Sequence, residues 1–138
     1  MTVILCLDDR DGMMFGTRRQ SRDEVLCDRI LNDNMGKRLY MNSYSYKMFS
    51  QNTGCCALCD ENFLDTAQGG DVCFVEGADI SPYASKINKI IIYRWNRVYP
   101  ATAYFKFPDG EWVLESTSEI GGSSHDITEQ TYIRKTEG

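Results

Sequence analysis

The stretch DVCFVEGADISPYASKINKIIIYRW (71–95) determines the fold that the sequence predicts. Its two apolar segments, Val72–Val75 and Ile87–Trp95, are rich in β-branched and aromatic residues, which are typical of buried strands. Gly77 marks a turn after the first segment. Ser81-Pro82 predicts the start of a brief helix, because proline suits the first helical position. A strand, a turn, a short helix and a second strand make one unit of a parallel sheet.

The sequence before this stretch shows the same alternation. TVILCL (2–7) predicts a first strand that is buried on both faces. Further strands are predicted over 38–42 and 54–58, and helices over 43–50 and 61–67. The order predicts an α/β fold with three layers and a mixed, mostly parallel sheet, in which all 138 residues form a single domain.

The first helix is predicted to begin at Ser21, whose hydroxyl would form a capping box with Glu24. The preceding residues, 13–20, predict a loop. The apolar stripe of the helix is expected to consist of Val25, Leu26, Ile30 and Leu31.

The last third of the chain predicts antiparallel strands. Tyr104–Phe107 and Glu111–Ser116 flank Pro108-Asp109-Gly110, whose residues favour a hairpin turn. Gln130–Arg134 predicts a final strand at an edge of the sheet.

Composition narrows the classes of function. The net charge of −5 argues against a nucleic-acid-binding protein, which needs a positive face. The basic cluster of Arg18, Arg19 and Arg22 is interpreted as a solvated loop. No apolar run approaches the roughly 20 residues that span a bilayer, and the N-terminus lacks the basic region of a signal peptide. We therefore expect a cytoplasmic protein without membrane contact; the oligomeric state stays open.

In a reducing cytoplasm, the six cysteines are expected to be free thiols. Cys55, Cys56 and Cys59 include one CxxC pattern, which is interpreted as unpaired thiols in a turn, with a redox role as the alternative. A zinc site would need further cysteine or histidine ligands at matching spacing, so no metal site is predicted.

Five stretches together resemble the dihydrofolate reductase family. They are VILCLDDRDGMMFG (3–16), SRDEVLCDRI (21–30), GKRLYMNSYSYKMF (36–49), the opening stretch, and ATAYFKF with EWVLES (101–116). The resemblance covers most of the chain in order and spacing, and it implies the reductase fold.

The resemblance also implies a site. Asp23 corresponds to the acid that binds the pterin substrate, although an acid at the start of a helix is favoured by the helix dipole alone. The ligand cleft is expected among Leu5, Cys6, Met14, Asp23, Leu26 and Phe49. Gly77 lies where the family binds the diphosphate of NADPH.

The residues around Gly77 argue against that cofactor. A reductase would have two small residues here, whereas Glu76 adds a negative charge beside two phosphates. Asn42-Ser43 replaces the glycine-arginine pair of the family. The arginine that would neutralise the phosphates and balance Glu76 is therefore also expected to be missing. No cofactor is therefore expected, and NADPH is kept as the alternative.

A second candidate surface lies in YRWNRVYP (93–100). The strand is expected to leave the core and expose Arg94, Trp95, Arg97 and Tyr99, residue types that dominate protein interfaces. An edge strand whose arginines pair with acids is the alternative.

YRWNRVYP and GSSH (122–125) are also similar to small bacterial and phage-type proteins, some of which are called ribonuclease Z. A two-zinc nuclease needs several histidines, and His125 is the only one in the sequence. Ser124, His125 and Asp126 are adjacent, so a hydrolytic triad is not expected and the segment predicts a loop or cap.

These observations favour a reductase-like fold without standard reductase chemistry. The hypothesis is a module that binds a small ligand or a protein, for example an inhibitor, of phage type, of a basic protein that handles nucleic acid. A divergent NADPH-dependent reductase of a pterin-like substrate is the alternative, and an RNA-cleaving enzyme is a distant third.

Overall fold

The computed structural model describes residues 1–49 and 57–135. Within them the strands are β1 (Thr2–Leu7), β2 (Gly12–Phe15), β3 (Arg18–Arg19), β4 (Leu39–Met41), β5 (Ala57–Cys59), β6 (Val72–Phe74), β7 (Lys89–Arg94), β8 (Ala103–Tyr104), β9 (Trp112–Gly121) and β10 (Asp126–Arg134). The helices are α1 (Glu24–Asp33), α2 (Ser43–Phe49), α3 (Phe63–Thr66) and a 3₁₀ helix over Ser81–Lys86. Cys55, Cys56 and the first part of the strand predicted over 54–58 lie outside the described residues.

The main sheet has the order β5-β4-β6-β1-β7-β10-β9. The strands from β5 to β7 run parallel, with β1 between β6 and β7, whereas β10 runs antiparallel to both β7 and β9. The predicted α/β class and the mixed, mostly parallel sheet are therefore confirmed.

Two apolar cores lie on opposite faces of this sheet, which gives the three layers. Successive residues of β1 point to opposite faces, so Val3, Leu5 and Leu7 belong to one core and Ile4 to the other. The first core includes residues of α3, and the second includes residues of α1 and α2. No helix in the described ranges is long and apolar enough to cross a membrane.

The capping box predicted at Ser21 is wrong, because α1 begins two residues later. Asp23 is the N-cap, and its carboxylate accepts the hydrogen bond of the Leu26 amide at 3.0 Å. Leu26, Ile30 and Leu31 are buried as predicted, whereas Val25 is 47% exposed. At 100° per residue the buried stripe is made by Leu26, Cys27, Ile30 and Leu31, and Val25 lies on the opposite side of the helix, which explains its exposure.

A second, three-stranded sheet with the order β3-β2-β8 replaces two predicted features. Residues 13–20 are not a plain loop, because β2 pairs with both β3 and β8. The hairpin predicted around Pro108-Asp109-Gly110 is also wrong, because β8 pairs with β2 and β9 pairs with β10. The final strand is interior rather than at the edge, since β9 covers its outer side.

Candidate functional site

The carboxylate of Asp23 lies at the start of α1 and accepts three hydrogen bonds from the protein. Besides the Leu26 amide, it accepts hydrogen bonds from the Ser123 amide at 2.7 Å and the Ser123 hydroxyl at 3.1 Å. Burial raises the pKa of Asp23, but the backbone hydrogen bonds from Leu26 and Ser123 outweigh it and hold the pKa below its usual value. Asp23 is therefore a charged structural anchor between α1 and the β9–β10 turn.

Glu76 is held in an ion pair that the sequence did not reveal. Arg19 Nε donates to its Oε2 at 2.9 Å and Arg19 Nη2 to its Oε1 at 3.0 Å, which makes a bidentate pair. The Ser45 hydroxyl donates to the same carboxylate at 2.7 Å. Both partners are largely shielded, with 20% of the Arg19 side chain and 8% of the Glu76 side chain exposed. The expectation that no cation balances Glu76 is therefore wrong, and so is the interpretation of Arg19 as solvated.

Tyr44 completes this cluster from α2. Its phenolic oxygen accepts the Arg19 amide hydrogen bond at 3.0 Å, and the Arg19 guanidinium lies 4.3 Å from the centre of its ring. The ring is thus turned toward β3. We call Arg19, Tyr44, Ser45 and Glu76 the Glu76 cluster.

The cavity between α1 and the Glu76 cluster is almost filled. It has a volume of about 10 Å³ and is lined by residues that include Cys6, Asp23, Leu26 and Trp95. This space suffices for about one water molecule, whereas small-molecule sites usually measure ~300–1,000 Å³.

The predicted ligand cleft is therefore wrong in its composition. Cys6 and Leu26 line the small cavity, but Leu5 and Met14 belong to the core on the opposite face of the sheet. Phe49 is fully buried among core residues. Leu5 and Cys6 cannot face one cleft, since consecutive strand residues point to opposite faces.

The thiols near this cavity are unreactive in character. Burial raises the pKa of Cys6 well above its usual value, and the charge of Glu76 raises it further. Burial likewise raises the pKa of Cys27 to about 12. Both side chains are therefore neutral thiols at physiological pH, which suits packing better than nucleophilic chemistry.

An open pocket of about 480 Å³ lies beside the Gly77 turn. Gly77 has a φ of +79°, a left-handed conformation that favours glycine, and a Cβ there would lie 2.8 Å from Met14 Sδ. The lining residues are Met13, Gly77, Ala78, Asp79, Ile80, Ser81, Ala103, Tyr104, Phe105 and Lys106. The pocket thus lies between the turn after β6 and the segment around β8.

Neither a protein-family model nor a curated protein matches this sequence. Solved structures do match: 250 chains show significant structural similarity. One is a dihydrofolate reductase from Enterococcus faecalis, complexed with NADP(H) and RAB-propyl, with a TM-score of 0.65 and 10% sequence identity. The match covers 98% of this chain and 96% of that chain. This chain has the dihydrofolate reductase fold. At this identity the similarity concerns the fold alone, and it gives the name ribonuclease Z no support.

On the reductase fold, the resemblance in sequence implied a cofactor diphosphate at Glu76-Gly77. The residues present do not fit that group. The Glu76 carboxylate is anionic and inward-facing, Arg19 is already used to neutralise it, and Met14 Sδ lies against Gly77. A diphosphate on the α1 side would have to displace the ion pair, and one packed closely against Gly77 on the opposite side would have to displace Met14.

The surface predicted from YRWNRVYP is largely buried. Trp95 is 4% exposed, and Arg94 forms an ion pair with Asp11. Tyr99 is half-buried against the core on the α1 side, whereas Arg97 is exposed. The exposed cluster of Arg94, Trp95, Arg97 and Tyr99 is therefore wrong as a structural expectation, because β7 stays paired with β1 and β10 as far as Arg94.

The turn between β9 and β10 does not form a hydrolytic triad. The Ser123 hydroxyl donates to Asp23, and the Nδ1 atom of His125 lies 3.0 Å from the Asp126 carbonyl oxygen. This agrees with the predicted loop or cap. Among the described residues, no three His, Cys, Asp or Glu side chains come together as a metal site.

Sequence reasoning missed two parts of the site. The first is Arg19, whose pairing with Glu76 spans 57 positions. The second is the pocket wall made by Tyr104 and Lys106, for which the sequence predicts a hairpin strand. The one local signal was the acid at position 76 itself, because a carboxylate next to a buried strand usually has a cationic partner.

Proposed function

We propose that this chain is a binding protein on the reductase fold, without hydride-transfer chemistry, and that its ligand occupies the pocket beside Gly77. The contrast between the two spaces carries the proposal. The 10 Å³ cavity next to Asp23 has no room for a pterin, whereas the 480 Å³ pocket is of ligand size.

The pocket walls favour a planar molecule with an anionic group. Tyr104 is 56% exposed and offers an aromatic face, and the exposed Lys106 offers a positive charge. Asp79, whose carboxylate accepts the Ser81 amide hydrogen bond at 2.9 Å, also lines the pocket, and Lys106 is the lining residue whose charge attracts an anion.

The test uses dihydrofolate and NADPH as probes, added to ¹⁵N-labelled protein and followed by NMR. We expect saturable shifts of the amides over 77–81 and 103–106 with at least one probe, and no oxidation of NADPH when both are present. Saturation without shifts in these two ranges would place the ligand elsewhere and overturn the pocket assignment. Absence of binding by either probe would argue against the proposed ligand class.

Three variants distinguish pocket binding from general charge attraction. Tyr104→Ala and Lys106→Ala should each weaken probe binding about tenfold, since each removes one wall contact. Lys37→Ala removes an exposed lysine that is not part of the pocket lining and is the matched control. Equal loss in all three variants would mean that the attraction is not local.

The second candidate is a divergent NADPH-dependent reductase. The complex of the structural neighbour with NADP(H) and the presence of Lys106 in the pocket favour it, and the Glu76 cluster opposes it. NADPH consumption in the presence of dihydrofolate, abolished by Asp23→Asn, would replace the first proposal with this one. Metal-dependent cleavage of RNA by the purified chain would instead be required for the distant nuclease hypothesis.

We also infer a cytoplasmic protein. Cys6, Cys27, Cys59 and Cys73 are free in the described part of the chain, which supports a reducing compartment. The single domain over all 138 residues stays a prediction.

A further inference from the structure

The outer edge of β9 is an unusually open strand edge. β9 is ten residues long and lies at the end of the sheet order, where β10 is its strand partner. Every residue from Val113 to Glu119 is exposed, so neither face of the strand is covered by a helix. In the described ranges no strand pairs with the other edge, where backbone N–H and C=O groups are available to an added strand.

Apolar side chains adjoin this edge on both faces of the sheet. Leu114 is 46% exposed and is paired with Tyr132, whose ring lies 4.9 Å from that of Phe107. Val113, on the other face, is 44% exposed and is paired with Ile133. An added strand could therefore cover apolar surface as well as form backbone hydrogen bonds.

The charge of the edge is negative. Glu115 and Glu119 are both exposed along it, and Glu119 accepts the Thr128 hydroxyl hydrogen bond at 2.8 Å. Glu115 is the extra residue at the register shift between β9 and β10, where Thr131 pairs with Ser116 and Tyr132 pairs with Leu114.

The same charges disfavour a second copy of this chain as the occupant. A twofold axis through Thr117 would place Glu115 directly opposite Glu119 of the second copy. An axis through Ser116 or Ser118 would leave the glutamates as diagonal neighbours. Like charges facing each other across a strand pair are destabilising, so antiparallel self-pairing is disfavoured.

We propose that the outer edge of β9 binds an extended, basic segment of a protein partner, which adds to the sheet as an eighth strand. Lysine or arginine side chains of the partner would face Glu115 and Glu119, and apolar side chains would cover Leu114 or Val113. The surface is separate from the pocket beside Gly77, so either proposal can fail without the other.

The probe is a fluorescein-labelled peptide of alternating valine and lysine, and a peptide of alternating valine and glutamate is its control. Fluorescence anisotropy should show saturable binding of the basic peptide, weakened at high ionic strength, and no binding of the acidic one. In ¹⁵N NMR spectra the shifts should concentrate over 112–121, and the amides of β9 should exchange more slowly when the peptide is bound.

Two variants with the same change in net charge locate the interaction. Glu115→Lys with Glu119→Lys should weaken basic-peptide binding at least about tenfold and create binding of the acidic peptide. Asp9→Lys with Asp65→Lys changes two exposed acids away from β9 and should leave the affinity within about twofold. Equal loss in both variants, no binding to the native protein, or dimerisation of the native protein through β9 would each overturn the proposal.

Discussion

The two sides of the sheet at the carboxyl ends of β1 and β6 are built from similar residues but differ in what they leave for a ligand. On the α1 side, Arg19 is paired with Glu76, Asp23 accepts hydrogen bonds from Ser123, and the cavity between them has a volume of about 10 Å³. On the opposite side, Asp79 and Lys106 line a space of about 480 Å³.

This difference shows that charged residues in a fold's usual site are weak evidence of its usual chemistry. A carboxylate binds a ligand through free lone pairs, and three of the roughly four acceptor positions of Asp23 are already used by the Leu26 amide and by the amide and hydroxyl of Ser123. We call the α1 side the closed side and the side of the 480 Å³ pocket the open side. We therefore expect mutations on the closed side to change the stability of the fold, and mutations on the open side to change ligand binding.

The largest effect is expected from breaking the Glu76 cluster. Arg19→Ala leaves the Glu76 carboxylate buried without its cation and should lower the free energy of unfolding by about 2–3 kcal/mol. Arg18→Ala, at the exposed neighbouring position, should change it by less than about 0.5 kcal/mol. Urea unfolding measures both; similar values for the two variants would show that the ion pair does not stabilise the closed side.

The next effect concerns the anchor between α1 and the β9–β10 turn. Asp23→Ala removes the N-cap and the acceptor of the Ser123 amide, which should cost about 2 kcal/mol. Asp23→Asn keeps a capping oxygen and should cost about half as much. If thermal unfolding shows equal losses for alanine and asparagine, the cap is not the source of the stabilisation.

A smaller effect is expected at the turn that separates the two sides. Gly77→Ala places a side chain at a φ of +79° and should cost about 1–2 kcal/mol. Gly69→Ala is the control, because no atom lies within 4 Å of its Cβ position and its φ is not positive. Equal denaturation midpoints for the two variants would contradict the strain argument.

The smallest effect is a dependence on acid. Burial raises the pKa of Asp8, but hydrogen bonds from the Gly12, Tyr99 and Arg10 amides outweigh it, and the pKa lies below its usual value. This stabilisation is complete above the pH of about 4 at which an unfolded aspartate titrates, and it is lost as the pH falls through the lowered pKa.

The native chain should therefore lose more free energy of unfolding below about pH 4 than the Asp8→Asn variant does, and the difference should be about 1 kcal/mol. The urea midpoint at a series of pH values measures the slope for the native chain and the variant. Parallel slopes would assign the acid sensitivity to other carboxylates, of which Asp23 is the first to test.

The parts of the fold that follow from local pattern could be predicted. β7 lies within a run of β-branched and aromatic residues, and the 3₁₀ helix begins at Ser81-Pro82, so both are specified by neighbouring residues. β2 pairs with β3 across the turn at Gly16-Thr17, but its second partner, β8, lies about ninety residues later in the chain. The pattern of apolar and polar residues within a segment does not identify a strand partner that is so distant in sequence.

The site was less predictable for the same reason. Asp23 and Ser123 meet across 100 positions, and Arg19 and Glu76 meet across 57. Gly77 could be predicted as a turn residue because a left-handed backbone conformation favours glycine. An arginine and a glutamate that form a buried ion pair cannot be distinguished in the sequence from the same residue types at the surface.

The small sheet that joins β2 to β8 has a consequence for how the chain is made. The Thr102 amide donates to the Met14 carbonyl, and the Phe105 amide donates to the Asp11 carbonyl, so the N-terminal arm acquires these partners late in synthesis. Until residue 105 has left the ribosome, β2 lacks this second partner strand. The closed side is completed later still, because Asp23 accepts the hydrogen bond of the Ser123 amide. We expect Met13 and Met14 to stay incompletely buried in the nascent chain until β8 has been made.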